Sequence, residues 1–198
     1  MIAALLFDLD GTLLDNDMNV FMPPYFRLLA AKLAPLISPQ TLLPALIASS
    51  QVMMRNADKS RTNKEVFWAD FVPRIGCRMD DLLPLLDDFY RHDFAALRRY
   101  TAPKPEARPL MAAVFAAGYT VAIATQPVFP EPAVRHRLQW AGIADFPYAL
   151  VTTYENMHTA KPAPEYYLEV CERIGHRPSA CLMVGNDIEA DMRPAAAV

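Results

Sequence analysis

A doubly wound α/β core with an all-helical insert after its first strand is the fold this sequence predicts, and three observations carry it. Short apolar runs recur at residues 2–9, 119–124 and 180–184, with a weaker one at 149–152. That length and continuity suit parallel strands covered on both faces. Helix-length amphipathic segments separate the later runs and stop at Gly118, Gly142 and Gly175, the alternation expected of βαβ units. Between about 17 and 100 the alternation is lost, and only helical patterns remain.

Taken in order, the first run is Ile2 to Leu9, and it delivers Asp8 and Asp10 to a Gly11-Thr12 turn. Residues 13–17 link it to the insert. Helices are expected there over roughly 20–34, 40–56, 63–75 and 79–99. Phe67, Trp68, Phe71 and Ile75, and then Leu82, Leu85, Leu86, Phe89 and Tyr90, recur at helical spacing and read as core. The core resumes with a helix over 105–117, opened by Pro105 in its first turn. Further helices are expected over 131–141 and 164–174. The expected division is therefore 1–16 plus 101–198 as core and 17–100 as insert. The chain stops at Ala195-Ala196-Ala197-Val198, just past the last run, so it reads either as a fragment lacking the C-terminal part of its core or as a core with an uncovered edge.

Composition narrows the partners. A chain of 198 residues with 53% hydrophobic and 21% charged residues suits one globular core plus an insert, and a net charge of −3 gives no footing for nucleic acid or an anionic membrane. No apolar stretch reaches the ~20 residues that span a bilayer. The N-terminus lacks a basic region followed by a small-residue cleavage site, so the expected location is cytoplasmic. Cys77, Cys171 and Cys181 form no C-x-x-C pair and are expected as free thiols. Eighteen dispersed prolines read as helix starts and loop punctuation. Arg55, Lys59, Arg61 and Lys64 read as a solvated helix end and loop, and the four histidines have no partner legible in the sequence. A monomer or a weak homodimer is expected.

In an open parallel sheet, ligands sit beyond the carboxyl ends of the strands. Those ends here deliver Asp8 and Asp10, then Thr125 in Ala124-Thr125-Gln126, then Lys161-Pro162 in a loop, then Gly185-Asn186-Asp187 with Asp191 further on. The four motifs "DLDGTLLD", "ATQ", "KP" and "GNDIEAD", in this order and context, resemble the haloacid dehalogenase superfamily. The resemblance spans almost the whole chain, with the insert where that family places its first cap.

The residue types suit phosphoryl transfer. A carboxylate at a strand tip is a competent nucleophile, forming an aspartyl-phosphate, and Asp8 suits that role. Asp10, two residues on, points the same way while strand geometry persists. It can act as general acid and base if a neighbouring anion keeps it protonated; its plain structural role would be to cap the turn. Two carboxylates facing a phosphate dianion call for a hard cation, and the expected cofactor is Mg²⁺. The resemblance implies Asp8 and the Asp10 main-chain carbonyl as metal ligands. The last motif departs from the commoner form, with Asn186 where an Asp usually follows the Gly. Asp187 is the expected direct ligand and Asp191 orients a water on the metal, while the Asn186 carbonyl stays open as an alternative. Asp187 equally suits a helix N-cap. Thr125 and Lys161 are expected to contact the phosphoryl group, and Gly11, Thr12 and Gln126 to help bind it, the first two through main-chain N–H groups.

The reading is a phosphatase acting on a small phosphorylated metabolite. A phosphomutase of the same family and a catalytically idle binding module are the alternatives. Dehalogenation fits less well, since that branch needs neither an acid at Asp10 nor this magnesium set. Asp15 belongs to the link between core and insert.

Overall fold

The strand β1 (Ala4–Phe7) lies in the middle of a four-stranded parallel sheet in the computed structural model, which describes residues 1–198. It pairs on one side with β4 (Thr120–Ile123) and on the other with β6 (Cys181–Val184), and β5 (Leu150–Val151) lies outside β4, giving the order β5-β4-β1-β6. The register sets Phe7 beside Ile123 and Val184. The Asp8 N–H extends the ladder by donating to the Val184 carbonyl at 2.9 Å, and Ala124 donates to the Phe7 carbonyl at 2.7 Å. Asp8, Thr125 and Gly185 thus leave the sheet side by side, which is how residues more than a hundred positions apart come to share a rim.

The strands are shorter than the apolar runs that signalled them, because pairing ends where the chain turns toward that rim. Helices α5 (Ala107–Ala116), α6 (Glu131–Trp140) and α7 (Pro164–Arg173) flank the sheet. The first of these begins two residues after Pro105, which falls ahead of the cap residue Glu106 and not in the first turn. β6 is a sheet edge, with Leu182 half exposed. A short wide turn over Ile188–Met192 and α8 (Arg193–Ala196) follow it.

The insert consists of α1 (Met18–Leu33), α2 (Pro39–Met54), α3 (Asn63–Ile75) and α4 (Met79–Arg91). A single helix over 79–99 does not form. The chain breaks at His92 and continues as a 3-10 turn over Asp93–Tyr100. At three residues per turn, Phe94 and Leu97 fall on one face, and both are fully buried. The tighter winding is what brings both side chains into the core. A two-residue ribbon escaped the periodicity: β2 (Leu14–Asp15) pairs antiparallel with β3 (Ala102–Pro103), tying the two crossings between core and insert together. Two residues per strand are too few to show alternation.

Insert and core share one continuous apolar cluster. Phe94 stacks on Trp140 of α6 at 5.6 Å between ring centroids, and Tyr25 meets Phe129 edge-on at 5.5 Å. A second attachment is polar. Thr62 and Glu65 cap α3 reciprocally, and the fully buried Asn63 at its start spans to the core. Its N–H donates to the Met157 carbonyl at 2.7 Å and its amide to the Thr159 carbonyl at 3.0 Å, while the Lys64 N–H donates to the Tyr154 carbonyl at 2.7 Å. The four histidines all find partners that the sequence hid: Asp88 for His92, the Tyr90 carbonyl for His136, Glu169 for His158 and Thr120 for His176. The three cysteines are free thiols. No helix is long and apolar enough to cross a membrane.

Candidate active site

Beyond the carboxyl ends of β1, β4 and β6 lies a cavity of about 530 Å³. Its walls hold six aspartates (Asp8, Asp10, Asp15, Asp17, Asp187 and Asp191) and one cation, Lys161, with Thr125, Gln126, Gly11 and Asn186 among the other lining residues. All the residues the sequence singled out except Thr12 line it, and Thr12 touches it through hydrogen bonds to Asp8 and Asn186.

At the floor, Lys161 is 3% exposed and joins two buried carboxylates. Its Nζ donates to Asp8 Oδ1 at 2.8 Å and to Asp191 Oδ1 at 2.6 Å. Burial pushes the Asp8 carboxyl up to about 6; the Lys161 charge and hydrogen bond oppose that rise, and the Asp191 and Asp10 carboxylates add to it. The other Asp8 oxygen receives the Thr12 hydroxyl at 3.3 Å. Lys161 is positioned through its main chain. The Gln126 amide brackets it, with Oε1 accepting from the Lys161 N–H and Nε2 donating to the Lys161 carbonyl, both at 3.0 Å. Gln126 was expected on the phosphate; its amide is instead spent on holding the lysine.

Asp10 lines the cavity, but its carboxyl oxygens are both engaged away from Asp8. Its Oδ2 accepts from Arg137 of α6, a fully buried guanidinium that stacks on Phe129 at 4.6 Å. Its Oδ1 accepts from Asn16 at 2.7 Å. Both oxygens are thus taken by donors and are not free for the acid–base role that the sequence suggested. Neither Arg137 nor Asn16 was anticipated. Arg137 sits in an amphipathic helix with Arg135 and His136 as neighbours, where a basic residue normally faces water, and nothing local marks it as the buried one.

The Gly11-Thr12 turn also differs from expectation. Its N–H groups close the turn on itself, Gly11 donating to the Leu14 carbonyl at 2.8 Å and Thr12 to the Leu9 carbonyl at 3.3 Å. The glycine is required nonetheless. Its φ is +86°, and a Cβ there would lie 2.5 Å from the Asn186 amide. Lys104 donates to its carbonyl at 2.7 Å. Thr125 is buried at the rim, its carbonyl accepting from Thr152 and Tyr166, both at 2.8 Å.

In the last motif, Asp187 caps the following turn, its Oδ1 accepting from the N–H groups of Glu189 and Ala190 at 2.8 and 2.9 Å. Asp191 is committed on both oxygens, to Lys161 and to the Asp187 N–H at 3.1 Å. Gly185 gives Asp191 its space, since a Cβ there would lie 2.3 Å from Asp191 Oδ2. No three His, Cys, Asp or Glu side chains converge closely enough to hold a metal ion. The donor set still fits Mg²⁺ in kind. It is all oxygen, strongly acidic, and leaves Asp8 Oδ2, the Asp10 carbonyl and Asp187 Oδ2 without a strong internal donor.

A family model described as haloacid dehalogenase-like hydrolase matches residues 2–198. No curated protein matches the chain. Among solved structures, it is similar to a HAD phosphatase from Thermococcus onnurineus (23% identity, 100% of this chain and 83% of that one, TM-score 0.55). It is also similar to a 2-haloacid dehalogenase from Pseudomonas syringae (22%, 100% and 83%, TM-score 0.62) and to a predicted phosphoglycolate phosphatase from Haemophilus somnus (19%, 99% and 81%, TM-score 0.56). At these identities the likeness speaks for the fold.

Proposed function

The chain belongs to the haloacid dehalogenase-like hydrolase family, and from that premise we propose that it hydrolyses a small phosphate monoester through Asp8 with Mg²⁺ as cofactor. The observation that carries the reading is the buried Asp8–Lys161–Asp191 chain at the floor of a cavity walled by six aspartates. Such a cavity repels a phosphate dianion unless a cation offsets it. Asp10 beside Asp8 favours a phosphatase over a dehalogenase, because displacement of halide from carbon requires no acid at that place.

Asp8 presents a carboxylate oxygen to phosphorus; a P–O bond forms to Asp8 and the ester P–O bond breaks. Asp10, once it has let go of Arg137 and Asn16 and taken up a proton from solvent, gives that proton to the departing alkoxide. It then takes one from the water that attacks the aspartyl-phosphate, and the bond to Asp8 breaks as inorganic phosphate leaves. Lys161 offsets charge on the phosphoryl oxygens, and Thr125 donates its hydroxyl to one of them. Mg²⁺, held by the Asp8 carboxylate, the Asp10 carbonyl and Asp187, would supply charge neutralisation and polarise the phosphoryl group.

The test is release of inorganic phosphate from a broad panel of phosphomonoesters, with Mg²⁺ and with EDTA. Release that needs Mg²⁺ and falls by at least roughly three orders of magnitude in Asp8→Asn, with the fold retained, is the expected result. No release from any ester in the presence of the metal overturns the proposal.

A further inference from the structure

A second cavity, about 510 Å³, opens between the insert and the core, and eighteen of its twenty-four lining residues are hydrophobic. Its walls come from α1, α2, α3 and α4, and its floor from core residues 128–132 and 154–155. Tyr25, Phe67, Trp68, Phe71 and Phe129 supply aromatic faces. No Lys, Arg or His lines it, and the two carboxylates that do are already engaged, Asp87 with Arg91 and Glu155 with the Glu131 N–H. Nothing there neutralises an anion, and the few polar groups, among them Ser50, Gln51 and the unpartnered Trp68 Nε1, are scattered among apolar walls. The volume is that of a small-molecule site.

This cavity adjoins the acidic one. Gln126 lines the acidic cavity, and its Nε2 touches Met54 Sδ at 3.8 Å; Met54 lines the apolar cavity, as do Val128 and Phe129 just along the chain from Gln126. Gln126 is thus the contact between the two cavities, and a substrate reaching from Asp8 into the apolar one has to pass it.

We propose that the apolar cavity holds the alcohol portion of the substrate, which makes the substrate class a phosphate monoester of a neutral aliphatic or aromatic alcohol. The proposal rests on the phosphatase reading and narrows it. Phosphorylated carboxylic acids are disfavoured, because no cation lines the cavity to receive their charge, and sugar phosphates because the few polar groups cannot partner every hydroxyl of a sugar.

The experiment compares kcat/KM for hexyl phosphate and glycerol 3-phosphate, two primary-alcohol esters, with Mg²⁺ present. Glycerol is the better leaving group, so a preference for hexyl phosphate has to come from binding. The expected ratio is roughly a hundredfold in favour of hexyl phosphate, from burial of three to four methylenes at ~0.8 kcal/mol each. Leu46→Trp and, independently, Ser50→Phe fill the cavity and collapse that ratio, and both abolish the fluorescence rise of the neutral dye Nile red on the wild-type protein. Melting curves confirm that each variant folds. A ratio near one, with both esters hydrolysed, overturns the cavity proposal and leaves the phosphatase intact. No hydrolysis of any ester, with the dye still bound, overturns the phosphatase reading and this substrate class with it. If Ile47→Glu turns a dimer into a monomer without moving the ratio, the cavity is an interface between two copies and the proposal fails.

Discussion

The two cavities differ by about 20 Å³ in volume and by almost everything else: 530 Å³ walled by aspartates, 510 Å³ walled by rings and aliphatic chains. The difference teaches where each obtains its shape. The acidic cavity is set by strand ends, so its residues come from four distant points of the chain and are held by paired charge. The apolar cavity is set by helix faces. Tyr25, Leu29, Leu42, Phe67 and Phe71 line it and at the same time belong to the shared core of insert and body. Both therefore draw on stability, the first through buried charges that must stay paired and the second through the packing of its walls.

Substitutions on either side sharpen that contrast, and the largest effect is expected on the acidic side. Lys161→Met leaves Asp8 and Asp191 facing each other without their cation. Phosphate release should be lost, and the fold should weaken by about 3–5 kcal/mol as read by urea denaturation. Unchanged stability would mean that the Asp8–Lys161–Asp191 chain is not a fixed floor. On the apolar side Phe67→Ala should cost about 3 kcal/mol in the same denaturation, because it removes a ring that stacks on Phe71 at 4.9 Å. A stability loss below about 1 kcal/mol would show that the wall is separable from the core, which breaks the comparison. The smallest effect is expected at the junction. Gln126→Ala frees the Lys161 main chain and should lower kcat roughly tenfold with KM and melting temperature nearly unmoved. A fall in binding alone would place Gln126 on the substrate and not on the lysine.

Much of the core and its site was legible in the order of residues. Apolar runs with acids, a threonine or a glycine at their ends mark parallel strands and the rim they share, since both follow from local periodicity and the one-sided geometry of βαβ units. The haloacid dehalogenase-like hydrolase family was legible too, on four motifs, and the family model covers the same span. Side-chain partners were less so. Asp10 reads as an acid from its spacing, yet its oxygens are taken by Arg137, 127 positions away, and by Asn16. Gly11 and Thr12 read as phosphate donors, but their N–H groups close a turn. Gln126 reads as a ligand and serves as a bracket. The break at His92 and the β2–β3 ribbon were hidden because each depends on what a few residues meet after folding.

By itself the sequence determined the fold class, the family and the set of side chains brought to one rim, because those depend on patterns repeated over many residues and on motifs a few positions long. Only the tertiary structure decided which of those groups are paired, which donors hold Asp10, and that an apolar cavity adjoins an acidic one at Gln126. Those outcomes depend on single long-range contacts between residues whose local sequence carries no trace of the partner.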